Sequence, residues 1–221
     1  MGAVKDGRSY GCSATAAIIF AQLFGIAAIT LMLVWLLHFR EGVALSSTVE
    51  IRLLNIHHLL MFLGLVYSGG QAIIAFKAIP ATRRVQKFFH GLLHLVAIAL
   101  GALGLYAVFK FNRDLGIPDL KSLHSWLGIA TISLYSLQWL VGLVIFMFPG
   151  ASFTTRGSYL PWHAFFGLII FMMAICTAET GLMERFAILR LYQEKERLIV
   201  NFTGLAILLY GMSIILSVIL P

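Results

Sequence analysis

The sequence has little charge. Asp, Glu, Lys and Arg make up 11% of the 221 residues, against 60% apolar, which excludes an ordinary soluble globular domain. It has little cysteine: Cys12 and Cys176 form no CxxC and no zinc spacing, so both are expected to be free thiols. No polar tail or linker is long enough for a second domain, so 1–221 is read as a single transmembrane domain. A cleavable leader is not expected, because the first apolar run is about 25 residues where an h-region has about 7–15. MGAVKD lacks the Ser or Thr needed for myristoylation. Low-complexity tracts and clear internal repeats are missing too, and no nucleic-acid partner is expected.

What is present is six long apolar runs, at about 14–38, 53–76, 87–110, 122–148, 160–183 and 198–220. Each has the roughly 20 residues that an α-helix needs to cross a bilayer. The breaks between them are short and carry charge or turn residues: HFREG, FKAIPATRRVQK, KFNRDLGIPDLK, FPGASFTTRGS and LRLYQEKER. In lipid such a chain can only be a helical bundle, since helices satisfy their own backbone polar groups. Trp35, Trp126, Trp139 and Trp162 stand mostly near run ends, where indoles are expected at the interface.

Six spans put both termini on one face, side A, with the 77–87 and 149–159 loops. Lys and Arg divide almost evenly between side A and side B, but the side A bases are hardly offset by acids. The net charge therefore leans towards side A as cytoplasmic.

Ionisable rings inside hydrocarbon need a reason, and seven histidines occur: His38, His57, His58, His90, His94, His124 and His163. Because helix direction alternates, depth can be assigned. His57 and His124 lie just inside spans two and four, both entering from side B. His90 and His163 lie just inside spans three and five, both entering from side A. Four consecutive spans thus supply one histidine each, in two depth-matched pairs. Six-coordinate haem iron takes two axial imidazoles from opposite sides, and facing helices of a bundle can provide them. The pattern points to two bis-histidine haems, one near each surface, and hence to electron transfer across the bilayer. His94, one turn deeper than His90 on the same face, is the alternative ligand or a partner to it. His58 is about 100° around the helix from His57 and is read as a polar neighbour. His38 is placed at the side B edge. The rival reading is a haem-free multispanning transporter that uses its histidines for proton coupling.

The stretches LLNIHHLLM, KFFHGLLH, SLHSWLG, LQWLVG, FPGAS, PWHAFFG and VNFTG resemble the eukaryotic cytochrome b561 family over essentially the whole chain. The resemblance implies an all-α fold, a six-helix transmembrane bundle whose four central helices hold two b-type haems. It implies His57 and His124 on the non-cytoplasmic haem and His90 and His163 on the cytoplasmic one. It implies an oxidoreductase that takes electrons from cytoplasmic ascorbate and passes them to monodehydroascorbate or ferric chelates opposite. It also implies cytoplasmic termini, an endomembrane or plasma-membrane setting, and a homodimer.

Bases crowd the side A histidines. Positive charge there would concentrate an ascorbate monoanion and hydrogen-bond its enolate oxygens. By the resemblance, Lys77, Arg83, Lys87 and Arg156 line the ascorbate site, with Lys87 and Arg156 the main candidates. The bland reading makes these bases topology signals, or contacts to lipid and haem propionates. The chain also departs from the family pattern. His58 stands where proline is usual, Lys121 where tyrosine is common, and Asn112 where a histidine often serves the non-cytoplasmic substrate. That leaves His38 as a partial substitute at the same face.

Ser122, Ser125 and Gln138 are candidates to hydrogen-bond the imidazole nitrogens distal to iron. Glu179, near the side B end of the fifth span, is read as facing a polar cavity or the haem edge or as reaching the interface, the last being preferred. The sequon Asn201-Phe202-Thr203 sits too near a span for glycosylation. The glycines of SGG (68–70) and GALG (101–104) are read as close-packing positions.

Overall fold

The computed structural model describes residues 8–147, 151–191 and 194–220, with side chains from Ala14 onward. The N-terminal MGAVKDG, the Cys12 side chain and Phe148-Pro149-Gly150 of the FPGAS stretch lie outside the described residues. Everything described is helix or short connection, and six helices are long and apolar enough to cross a membrane.

Helix α1 runs Arg8–Val34 and ends in a π-helical turn, Trp35–Phe39. Helix α2 (Ile51–Ala78) is interrupted by a π-helical stretch, Phe62–Ser68. Helix α3 is Arg83–Leu115, α4 Leu123–Met147, α5 Phe153–Leu189 and α6 Glu194–Ile219. All but the fourth helix outrun the apolar stretches that foretold them, most of them because charged ends continue the helix into the headgroup region. The fifth shows this most: it starts at Phe153 rather than about 160 and carries Pro161 inside it. Ser152 caps it, accepting from the Thr155 N–H at 3.1 Å, as Ser122 caps α4 through Ser125 N–H at 3.3 Å. Helix α3 stops at Gly116, whose φ of 64° is left-handed and suits glycine.

Helices α2, α3, α4 and α5 form the central bundle, with α2 against α3 and α4 against α5 as its main contacts. Helices α1 and α6 pack together along their length, and α6 joins them to α2 and α5. Buried Trp35, Phe62, Phe171 and Tyr210 occupy the shared core. Exposed Ile19, Phe20, Leu23, Ile26, Leu103 and Leu137 make the outer faces apolar, as contact with lipid requires.

Small residues let the helices approach. A β-carbon on Gly70 would clash with the Tyr210 hydroxyl, and one on Gly211 would stand 3.0 Å from Ile175. Polar groups cross-link the same region. Gln22 donates to Gln71 at 2.9 Å, and the Tyr210 hydroxyl donates to the Tyr67 carbonyl at 2.8 Å.

Two expectations are corrected here. Trp35 is not at the interface: it is 1% exposed, and its Nε1–H donates to Glu196 at 2.9 Å. Glu179 faces α6 rather than the surface. Its Oε2 stands 2.9 Å from where a Gly204 β-carbon would be, and its buried Oε1 has no hydrogen-bond partner.

Candidate functional site

The π-helical stretch lies between two parts of α2 that both turn to α3. Before it, His57 Nδ1 hydrogen-bonds the Gly104 carbonyl at 2.9 Å. After it, the Ala72 carbonyl meets His90 Nδ1 at 2.9 Å. Across the bundle, His124 Nδ1 of α4 meets the Thr177 carbonyl of α5 at 2.9 Å.

These bonds fix chemistry. A carbonyl only accepts, so Nδ1 carries the proton in all three rings and each Nε2 presents a lone pair. That is the tautomer a metal-binding imidazole needs, with the backbone acceptor holding the ring in orientation.

The rings then pair as their depths predict. His57 and His124 stand 6.3 Å apart between centroids, at 86°. His90 and His163 stand 6.1 Å apart, at 67°. An imidazole nitrogen sits about 2 Å from a first-row metal and about 1.1 Å from its own ring centre, so two rings in line across one ion are about 6.2 Å apart. Both pairs match that span.

Glycines seat two of the rings. A β-carbon on Gly181 would come 2.8 Å from His124 Cε1, and one on Gly142 would come 3.0 Å from His163 Cε1.

The side A pair opens on a cavity of about 680 Å³, whose lining includes His90, His94, His163, Tyr135 and Gln138. Its volume is in the range of a cofactor site. The side B cavity is about 110 Å³, lined by His57, His58, His124 and Asn112, with Met32 and Met61 among its walls; methionines adapt readily to what they enclose.

His94 is turned to Tyr135 and His90. Its Nδ1 is bonded to the Tyr135 hydroxyl, and its ring sits edge-on 4.5 Å from His90. His58 bonds the Leu54 carbonyl at 2.6 Å and lies edge-on to Trp35 and His57.

Of the three candidates to bond imidazoles, Gln138 does so. Its amide meets His163 Nδ1 at 3.1 Å and the His163 carbonyl at 2.8 Å. Ser122 and Ser125 do not. They bond each other at 3.0 Å, and Ser122 donates to Glu184 at 2.8 Å, because the Thr177 carbonyl already takes His124 Nδ1.

Among the side A bases, Lys77, Arg83 and Lys87 border the large cavity. Lys77 Nζ is already engaged, donating to the carbonyls of Ser217 at 2.7 Å and Leu220. Arg83 lies over the Phe76 ring, 5.8 Å from its centre. Lys87 is half-buried with no such tie. Arg156 is outside the lining, half-buried, with a buried Nε that lacks a partner. At side B, Asn112 donates to Asp119 at 2.8 Å at the edge of the small cavity, while His38 is exposed and lies edge-on to Phe39.

The eukaryotic cytochrome b561 profile matches residues 56–189, the stretch that carries all four paired histidines. The chain belongs to the eukaryotic cytochrome b561 family. It is 41% identical over 206 residues to the probable ascorbate-specific transmembrane electron transporter 1 of Oryza sativa subsp. japonica, covering 91% of this chain and 88% of that protein. It is 38% identical over 205 residues to transmembrane ascorbate ferrireductase 2 of Arabidopsis thaliana, covering 90% and 89%. It is 40% identical over 199 residues to the transmembrane ascorbate-dependent reductase CYB561 of Sus scrofa, covering 88% and 78%.

A cytochrome b561 implies haem b, and the donor set fits it. Three of the four imidazoles have Nδ1 tied to a backbone carbonyl, both pairs face each other at the spacing of one metal, glycines sit behind two of the rings, and the walls are mostly apolar.

Proposed function

We propose that this chain is an ascorbate-dependent transmembrane oxidoreductase. It takes one electron at a time from ascorbate on side A and delivers it to monodehydroascorbate or a ferric chelate on side B. Two haem b groups, when bound, supply the one-electron chemistry. His57 with His124 would hold one, and His90 with His163 the other.

The observation that carries the reading is the pair of ring separations, 6.3 and 6.1 Å, at opposite depths of one bundle. The residues' tasks follow from their positions. Lys87, with Arg83 beside it at the cavity and Arg156 at the start of α5, supplies positive charge for the ascorbate monoanion. Lys77 has both contacts within the protein and adds charge rather than a free donor. Ascorbate leaves as monodehydroascorbate, having lost one electron and one proton. At side B, Asn112 and His38 are the polar groups on the acceptor's face. In this reading side A and both termini are cytoplasmic, and the chain works as a homodimer in an endomembrane or the plasma membrane.

Haem stoichiometry tests it most directly. Purified protein from haem-replete cells should contain two haem b per chain and become reduced on adding ascorbate. A colourless preparation would favour a haem-free transporter instead.

A further inference from the structure

Arg185 lies on α5 one turn past Gly181, the seat of the His124 ring, and is only 6% exposed. Its Nε and Nη2 are both buried and have no hydrogen-bond partner among the described residues. Those two donors form one edge of the guanidinium, the pair that grips both oxygens of a carboxylate side-on.

The acids nearby are engaged elsewhere. Glu196 is paired with Arg40 and also accepts from Trp35. Glu184, next in the chain and about 100° around the helix, accepts from Ser122. Arg185 shares one charged cluster with Arg40 and Glu196 and lies near His58, the neighbour of His57. The buried Arg185 and the half-buried Arg40 have that one acid between them. A buried charge without a partner is costly, so a second anion belongs here.

We propose that the Nε–Nη2 edge of Arg185 is a carboxylate site serving the side B centre, and that its occupant is a propionate of the porphyrin held by His57 and His124. The inference rests on the haem reading above. Arg185 is a positioning residue: it anchors the macrocycle by its rim and places a positive charge near the iron. That charge favours the reduced centre, which carries one positive charge fewer.

The test is a redox titration of purified holoprotein, followed optically, comparing wild type with R185Q and R185K. In R185Q, one of the two haem transitions should move at least tenfold towards the oxidised form, about 59 mV for one electron; the other should stay put. In R185K, which keeps the charge but loses the two-donor edge, the same transition should move less. If R185Q does not accumulate, the R185K shift carries the test. Superimposable titrations for the variants and wild type would overturn the proposal. So would unchanged potentials joined to a raised KM for ferric citrate, which would make the occupant an acceptor's carboxylate. Wild-type protein without haem would instead sink the parent reading, so the two failures are distinguishable.

Discussion

Gly181 stands behind the His124 ring so closely that a β-carbon would come 2.8 Å from Cε1, while Thr177, one turn earlier on α5, holds the same ring's Nδ1 at 2.9 Å. Seat and tether come from one helix face, four residues apart, so the imidazole is held in one orientation before anything binds it. Gly142 serves His163 in the same way from α4, its β-carbon position lying 3.0 Å from Cε1. Gly181→Ala should therefore push His124 off its line with His57, and Gly142→Ala should do the same to His163. Each should weaken one haem, read as a haem-to-protein ratio falling towards one and an altered reduced spectrum. Gly157→Ala, where an added methyl meets nothing within 4 Å, should leave both haems in place. Equal haem content in all three variants would mean the glycines do not set the rings.

Removing the ligands themselves should separate the centres. His57→Ala or His124→Ala should leave one haem per chain, still reducible by ascorbate from side A. His90→Ala or His163→Ala should remove the other haem and with it rapid reduction by ascorbate. His94→Gln should keep both haems, because His94 is tied to Tyr135 rather than facing His163. A His94 variant lacking one haem, beside a His90 variant retaining two, would reverse the assignment.

The helix count and the two depth-matched pairs were legible in the sequence because both follow from one rule. Long apolar runs alternate direction, so a histidine's distance from a run's start gives its depth. Contacts made by backbone carbonyls were not legible. Nothing in SLHSWLG or HGLLH announces that the carbonyls of Gly104, Ala72 and Thr177 fix three tautomers, although the GALG stretch had marked Gly104 as a packing position. The contacts of Lys77 were equally hidden. Its place near the histidines gave its charge, but not the carbonyls of Ser217 and Leu220 near the end of α6, to which it donates. Trp35 misled because its place near a run's end suggested an interface, while the partner that draws it inward, Glu196, is 161 residues away.

The bases of side A should divide by what already occupies them. Lys87 has no partner among the described residues, so Lys87→Ala should weaken ascorbate about tenfold, the scale of one charge-assisted hydrogen bond. Arg156→Ala should also slow reduction, with haem content unchanged. Lys77→Ala should act mainly on stability, freeing the Ser217 and Leu220 carbonyls at a cost of about 0.5–1 kcal/mol. Stopped-flow reduction across a range of ascorbate concentrations checks the first two, and thermal unfolding the third. Normal kinetics in both Lys87→Ala and Arg156→Ala would refute the ascorbate site.

Glu196 is the acid shared by the side B cations, and its removal has a sign that can be worked out. It pairs with Arg40 and accepts from Trp35 Nε1 at 2.9 Å, in a region where Arg185 already lacks a partner. Glu196→Gln keeps the shape and an oxygen for the indole, but leaves Arg40 without its counter-charge. Breaking a fully buried pair by removing one member costs about 3–5 kcal/mol, and the part-exposed Arg40 loses less than that. Thermal unfolding of the detergent-solubilised protein should therefore shift down by several degrees. Trp35→Phe, which removes only the indole donor from Glu196 and keeps most of the buried ring, should cost less. A Glu196→Gln variant as stable as wild type would mean that water, not Glu196, neutralises this cluster, and that Arg40 and Arg185 are less enclosed than their packing indicates.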